Sequence, residues 1–221
     1  MTSVSDLLKK GAGYVHVLVT SHSGPDSQPV VFLDRDGVLV EDMAYLGKPG
    51  GLIVLPGVAQ ALRSLAPHFR LVVVTNQSGI AKGMFNEDDL FAVHQQLANL
   101  LADEQAEIEA YFYCPHHRYG AVAAYTEDCE CRKPKPGLLQ RASNHFGLSL
   151  AGSYMVGDNV TDLQAGRTAG AKGVMVGDNR PDCPDWALAA ENLLEAAGLI
   201  LADHLEYMNS TPEWRELPCS P

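Results

Sequence analysis

Three short β-branched runs in this chain each end in polar residues, and that repetition constrains the fold more than any other feature. Val30 to Leu33 leads into Asp34-Arg35-Asp36-Gly37, Leu71 to Val74 into Thr75-Asn76, and Tyr154 to Val156 into Gly157-Asp158-Asn159. Longer amphipathic stretches separate them: Pro56 to Ala66, Asn86 to about Ala106, Leu138 to Phe146 and Thr161 to Thr168. Strands alternating with helices predict βαβ units and a mainly parallel sheet. Ligands of such sheets bind in the crevice beyond the carboxyl ends of the strands. The three polar clusters are therefore predicted to meet there.

The first cluster carries the clearest chemistry. Side chains alternate along an extended chain, so Asp34 and Asp36 can face the same way, and Gly37 permits a sharp turn and close approach to a ligand. Two carboxylates on one face suit a hard cation such as Mg²⁺ together with substrate phosphate. A turn cap is the plainer explanation of D-x-D-G, and the matching clusters after two other strands favour chemistry. One choice remains within the third cluster. Val156-Gly157-Asp158-Asn159 recurs as Val176-Gly177-Asp178-Asn179. The first copy leads into a plausible helix, while Arg180-Pro181-Asp182-Cys183-Pro184 follows the second and resists helix formation. The metal is assigned to Asp158, and Asp178 is read as a loop residue.

The 221 residues suffice for one sizeable domain. With 46% hydrophobic and 19% charged residues, a folded soluble protein is expected. The sequence shows no membrane-span-length apolar stretch and no signal-peptide pattern, so cytoplasmic is the default location. A net charge of −11 disfavours nucleic acid and anionic membranes as partners. Tyr14 to Thr20 is a further strand candidate in an N-terminal extension (1–29), with a Ser/Gly/Pro linker after it. Val174 to Val176 is the last clear strand, Trp186 to about Leu201 reads as helix, and 201–221 as a tail.

Three of the five cysteines crowd between residues 114 and 131. Cys114-Pro115-His116 with Cys129-Glu130-Cys131 supplies three thiols and an imidazole, the composition of a closed structural zinc site. His117 competes with His116, which is preferred because it repeats the spacing of the second pair. Such a site would stiffen a long loop and fix the backbone just before Arg132 and Lys133.

With these clusters in order, the chain resembles the haloacid dehalogenase-like (HAD) phosphohydrolases. Asp34-Arg35-Asp36-Gly37, Thr75-Asn76, Lys133 after Arg132, and Gly157-Asp158-Asn159-x-x-Asp162 carry the match over roughly residues 30–176. The resemblance implies an α/β fold: a HAD-like (Rossmann-type) parallel sheet flanked by helices, over about 30–200, with a small zinc loop (114–131) and no large cap domain. It implies Asp34 as nucleophile, Asp36 as general acid and then base, and Mg²⁺ held by Asp34, the Asp36 backbone carbonyl and Asp158. Thr75 and Asn76 would bind phosphoryl oxygens and Lys133 would offset transition-state charge.

The zinc loop and Thr75-Asn76-Gln77-Ser78-Gly79-Ile80-Ala81-Lys82-Gly83 narrow the resemblance to the D-glycero-D-manno-heptose 1,7-bisphosphate 7-phosphatases, with histidinol-phosphate phosphatases as close relatives. This implies a small phosphorylated sugar as substrate and a monomeric enzyme, with Asp42, Tyr45, Thr75, Asn76, Gln77, Ser78, Arg132 and Lys133 as substrate contacts. Arg132 would help to hold a second phosphate or the sugar. A nucleic-acid 3′-phosphatase is the more distant alternative, and the acidic charge argues against it. The chain departs from the family pattern at Val38 (usually threonine), at Asn159 (often lysine) and at Met43-Ala44 (His-Gly).

Overall fold

The computed structural model describes residues 8–11, 14–18, 28–148, 150–178 and 182–210. Its strands form one sheet: β1 (Leu8–Gly11), β2 (Val15–Leu18), β3 (Val30–Leu33), β4 (Arg70–Asn76), β5 (Ala110–Cys114), β6 (Tyr154–Gly157), β7 (Lys172–Val176) and β8 (Leu188–Ala190). Across the sheet the order is β1-β2-β5-β4-β3-β6-β7-β8. The six strands from β5 to β8 run parallel. The β1–β2 hairpin adds antiparallel to β5, with Val15 opposite Phe112.

Burial on both faces explains the uninterrupted apolar runs. Alternate residues of each strand serve opposite layers. Val31, Leu33, Leu71, Val73, Val156 and Val174 pack with helices α1 (Val58–Leu65), α2 (Glu87–Asp103) and α5 (Leu193–Ser210). Val30, Phe32, Val72, Val74, Phe112 and Met155 face α3 (Gly137–Phe146) and Ala165 of α4 (Val160–Ala169). Each fully buried Val, Leu or Phe of this kind contributes about 1.5–3 kcal/mol.

Local signals set the helix starts. Asn86 caps α2: its side chain accepts from Asp89 N–H, and the Asp89 carboxylate accepts from Asn86 N–H, both at 2.9 Å. Asn159 and Asp162 form the equivalent box on α4. The turn of α1 starts two residues beyond Pro56, after Gly57 in the left-handed region.

Two expectations at the C-terminal side are corrected. Leu188–Ala190, read as helix, is a strand paired with Val174–Val176. The helix starts later, at Leu193, and continues to Ser210, through much of the expected tail. Its far end is tied to the sheet, because Tyr154 donates to Asp203 at 2.7 Å and Lys172 pairs with the same carboxylate. At the other end, the expected strand from Tyr14 is present at Val15–Leu18, and residues 19–20 lie outside the described residues. Among the described residues no helix is long and apolar enough to cross a membrane.

Candidate active site

Strand β3 lies between β4 and β6, so their carboxyl ends bring the three polar clusters side by side. The Asp34 N–H donates to Val156 O at 2.9 Å, which ties the first cluster to the third. Carboxyl oxygens of Asp34, Asp158 and Asp162 all lie within 4.8 Å of one another. Lys133 reaches in from the loop before α3, almost fully buried. Its Nζ meets Asp34 Oδ1 at 2.9 Å, Asp162 Oδ1 at 2.8 Å and Val74 O at 2.8 Å, which occupies all three N–H donors.

Three carboxylates against one ammonium leave an excess of negative charge. Burial, and then the charges of Asp34 and Asp162, push the Asp158 carboxyl up to about 7, with Lys133 opposing. Asp162 is likewise pushed up, chiefly by burial. For Lys133 burial works against the charge, but the carboxylates of Asp162 and Asp34 outweigh it and hold its pKa above the ordinary value. Clustered hard oxygens with unrelieved repulsion fit a divalent cation.

Gly37 is what permits the carboxylates this close. Its φ is +76°, and a Cβ added there would stand 2.3 Å from Asp158 Oδ2. Gly37→Ala is therefore expected to displace Asp158 and weaken the binding of a divalent cation there, Mg²⁺ being the one to test, by about 10–100-fold, the range for disturbing a ligand's support. Titrating activity against Mg²⁺ concentration checks this.

Asp36 stands apart from the carboxylate cluster. Its Oδ1 accepts from Arg35 Nε at 3.0 Å and Nη2 at 2.8 Å, and its Oδ2 from Arg35 Nη2 at 2.8 Å and Gln77 Nε2 at 2.9 Å. The Gln77 amide also donates to Thr75 Oγ1 at 3.0 Å. Asn76 uses both ends of its amide on the Lys133 backbone: Nδ2 donates to Lys133 O at 3.2 Å, and Oδ1 accepts from Lys133 N–H at 3.1 Å. The side chains of Asn76 and Gln77, expected on phosphate, are thus engaged as ties between site residues. Thr75 is buried and keeps a hydroxyl proton to donate.

Cys114, His116, Cys129 and Cys131 converge as expected, with no disulfide among them. Cys114 and Cys129 sulfurs are 3.4 Å apart and those of Cys129 and Cys131 3.1 Å. His116 Nδ1 lies 3.8 Å from Cys114 Sγ and 3.3 Å from Cys131 Sγ. Ligands of a tetrahedral zinc stand about 3.5–3.8 Å apart, so these atoms sit at or slightly inside that spacing. The hydrogen bond from Cys114 draws the Cys131 thiol down to about 5, while Cys114 is pushed up by that same bond and by burial. Such a set readily gives up its remaining protons to a dication. His117 is outside it, and its Nδ1 accepts from Tyr119 N–H.

The remaining predicted residues make local contacts. Asp42 Oδ1 accepts from Ala44 N–H at 2.8 Å, Tyr45 is exposed beside Lys82, and Arg132 Nη1 donates to His116 O at 3.4 Å. Ser78 is half-buried and accepts from Lys82 N–H through its carbonyl. Asp178 lines an adjoining cleft with Gly37, Glu41, Asp42 and Glu191. Three residues of the site escaped sequence reading. Asp162 was visible in its motif without a role, Arg35 was hidden between two aspartates, and Glu127, 3.2 Å from His116 Nε2, carried no local signal.

Comparison with known proteins agrees with this geometry. The HAD-hydrolase-like family model matches residues 130–195. The D-glycero-beta-D-manno-heptose-1,7-bisphosphate 7-phosphatase of Yersinia pestis is 41% identical over 173 residues, which cover 77% of this chain and 92% of the relative. The Escherichia coli K12 enzyme of the same name is 40% identical, over 77% and 90%. The D,D-heptose 1,7-bisphosphate phosphatase of B. bronchiseptica, solved with magnesium and phosphate, superposes with a TM-score of 0.71 at 34% identity, covering 80% of this chain and 99% of that one. Identity of this extent, over nearly the whole length of the relatives, means that the chain belongs to the HAD-like phosphatase family of the heptose-1,7-bisphosphate 7-phosphatases and is a hydrolase of phosphoric monoesters.

Proposed function

We propose that this enzyme removes the 7-phosphate of D-glycero-D-manno-heptose 1,7-bisphosphate, using Mg²⁺ at the Asp34 cluster and a structural zinc in the 114–131 loop. The observation that carries the reading is Lys133 held between Asp34 and Asp162, whose carboxylates cluster with that of Asp158. The names of the relatives support the substrate, and the magnesium and phosphate bound to the B. bronchiseptica enzyme support the cation.

Asp34 attacks phosphorus and forms an aspartyl-phosphate, which divides one displacement into two easier ones. Asp36 gives its proton to the leaving sugar oxygen, and its carboxylate later takes a proton from the water that frees phosphate. Lys133 and the Thr75 hydroxyl offset charge on the transferring group. Asp34, Asp158 and the Asp36 carbonyl would hold Mg²⁺, which would supply charge neutralisation and orientation. Asp162 holds Lys133 and leaves Asp34 available to react.

Cations at the mouth support a substrate with a second phosphate. The His117 imidazole is held below its ordinary pKa by burial and then by the charges of Arg132, Lys82 and Arg118, so three cations gather around it. A planar guanidinium such as Arg132 suits bidentate phosphate contact. The protein's net charge of −11 makes this local excess notable and favours a small phosphosugar over a nucleic acid.

Phosphate release should be compared across both anomers of the heptose bisphosphate, histidinol phosphate, other sugar phosphates and a 3′-phosphorylated oligonucleotide. A heptose bisphosphate is expected to give the highest kcat/KM, with activity lost in EDTA and restored by Mg²⁺. Preference for histidinol phosphate, or activity unaffected by EDTA, would contradict the proposal.

A further inference from the structure

Asp36 receives four N–H contacts on two oxygens, from two side chains that reach it from the loops after β3 and β4. Arg35 is 1% exposed and Gln77 4% exposed, so neither is a solvated side chain that happens to touch a carboxylate. The Arg35 guanidinium has Asp36 as its charge partner, and it is walled in near the fully buried His94, whose pKa is lowered by burial, His16 and then Arg35 itself. Gln77 is anchored differently. Its side-chain amide also donates to Thr75 Oγ1 at 3.0 Å, and its backbone N–H donates to Cys114 O at 2.8 Å on the neighbouring strand.

We propose that Arg35 and Gln77 are positioning residues that fix the carboxyl group of Asp36 for proton transfer, and that Oδ2 is the oxygen that carries the proton. The inference rests on the reading of Asp36 as acid and base given above. Oδ1 is covered by two N–H groups of an immobile guanidinium. Oδ2 meets one guanidinium nitrogen and the Gln77 amide, a neutral group that donates to Thr75 Oγ1 at the same time. Loss of the neutral Gln77 contact leaves Oδ2 with a single donor, while Arg35 still holds the carboxyl plane. In the first step the Oδ2 proton passes to the sugar oxygen as the P–O bond breaks and the Asp34–phosphorus bond forms. In the second, Oδ2 takes a proton from water as its oxygen bonds to phosphorus and the Asp34–phosphorus bond breaks. Proton transfer needs hydrogen-bond reach, and a misplacement of about 1 Å can cost about 100-fold.

The test compares kcat/KM, which reports the first step, for an alkyl phosphate and for p-nitrophenyl phosphate. The alkoxide needs a proton to leave, and the nitrophenolate does not. Gln77→Leu and Arg35→Met are expected to lower kcat/KM for the alkyl ester by about 10–100-fold and to change the aryl ester by less than about threefold, since no proton transfer is needed there. Asp36→Ala should give the same pattern with a larger alkyl loss. Should Arg35→Met fail to fold, Gln77→Leu and Arg35→Lys carry the comparison. If Asp36→Ala discriminates between the esters and the Arg35 and Gln77 variants lower both equally, the positioning role is overturned and the reading of Asp36 survives. If Asp36→Ala does not discriminate, that reading falls and the positioning role with it.

Discussion

Asp34→Asn is expected to abolish phosphate release, by about 10⁴-fold or more, while leaving the fold intact. The amide matches the carboxylate in shape but is not a nucleophile, so no aspartyl-phosphate can form. Stability should change little. Asp34 is one of three crowded carboxylates, and its loss relieves repulsion on Asp158. Lys133 keeps Asp162 at 2.8 Å and Val74 O at 2.8 Å, so it is not left as an unpaired buried charge. The midpoint of urea unfolding should therefore move by no more than corresponds to about 1 kcal/mol. Turnover above a hundredth of wild type would refute the nucleophile assignment, and an unfolded variant would refute the accounting of charge.

The second large effect is expected at the zinc loop. Protein purified without chelator should carry about one zinc per chain, as one four-ligand site requires. Cys129→Ser should remove it. Cys129 is only half-buried, whereas Cys114 closes strand β5 inside the core, so the serine tests the metal more than the packing. Structural zinc contributes about 10–16 kcal/mol to small zinc domains. Here the sheet has its own core, so only the loop would depend on the metal. The expected loss is thus a fraction of that, about 3 kcal/mol or more, seen as a lower melting temperature. Activity should fall as well, because Arg132 and Lys133 directly follow Cys131. Full zinc content, or unchanged melting of the variant, would count against the site.

Much of this was legible from the chain. β3, β4 and β6 stood out because a strand buried on both faces must be apolar throughout and must end where its polar load begins. Asn86 announced its helix through its own hydrogen bonds. The cluster of Cys114, His116, Cys129 and Cys131 was legible because three thiols and an imidazole at such spacing have few other uses. Most of the misses share a cause, which is that they depend on a neighbour distant in sequence. Leu188–Ala190 consists of good helix formers, and only pairing with β7 makes it a strand. α5 outruns its apolar pattern because Asp203 finds Tyr154 and Lys172 on the sheet. Asp162 acquires its role from Lys133, which no spacing rule connects to it, whereas Arg35 pairs with the adjacent Asp36. Gln77 sits in a motif that suggests phosphate, yet its amide turns to Asp36.

The central claim is that the Asp34 cluster hydrolyses one chosen ester of a bisphosphorylated heptose. The most direct measurement is ³¹P NMR of D-glycero-D-manno-heptose 1,7-bisphosphate incubated with the enzyme and Mg²⁺. The expected result is loss of the 7-phosphate signal, growth of inorganic phosphate in equal amount and an intact 1-phosphate, with no change in the Asp34→Asn reaction. Release of the 1-phosphate first, or no release at conditions where another phosphomonoester is turned over, would contradict it.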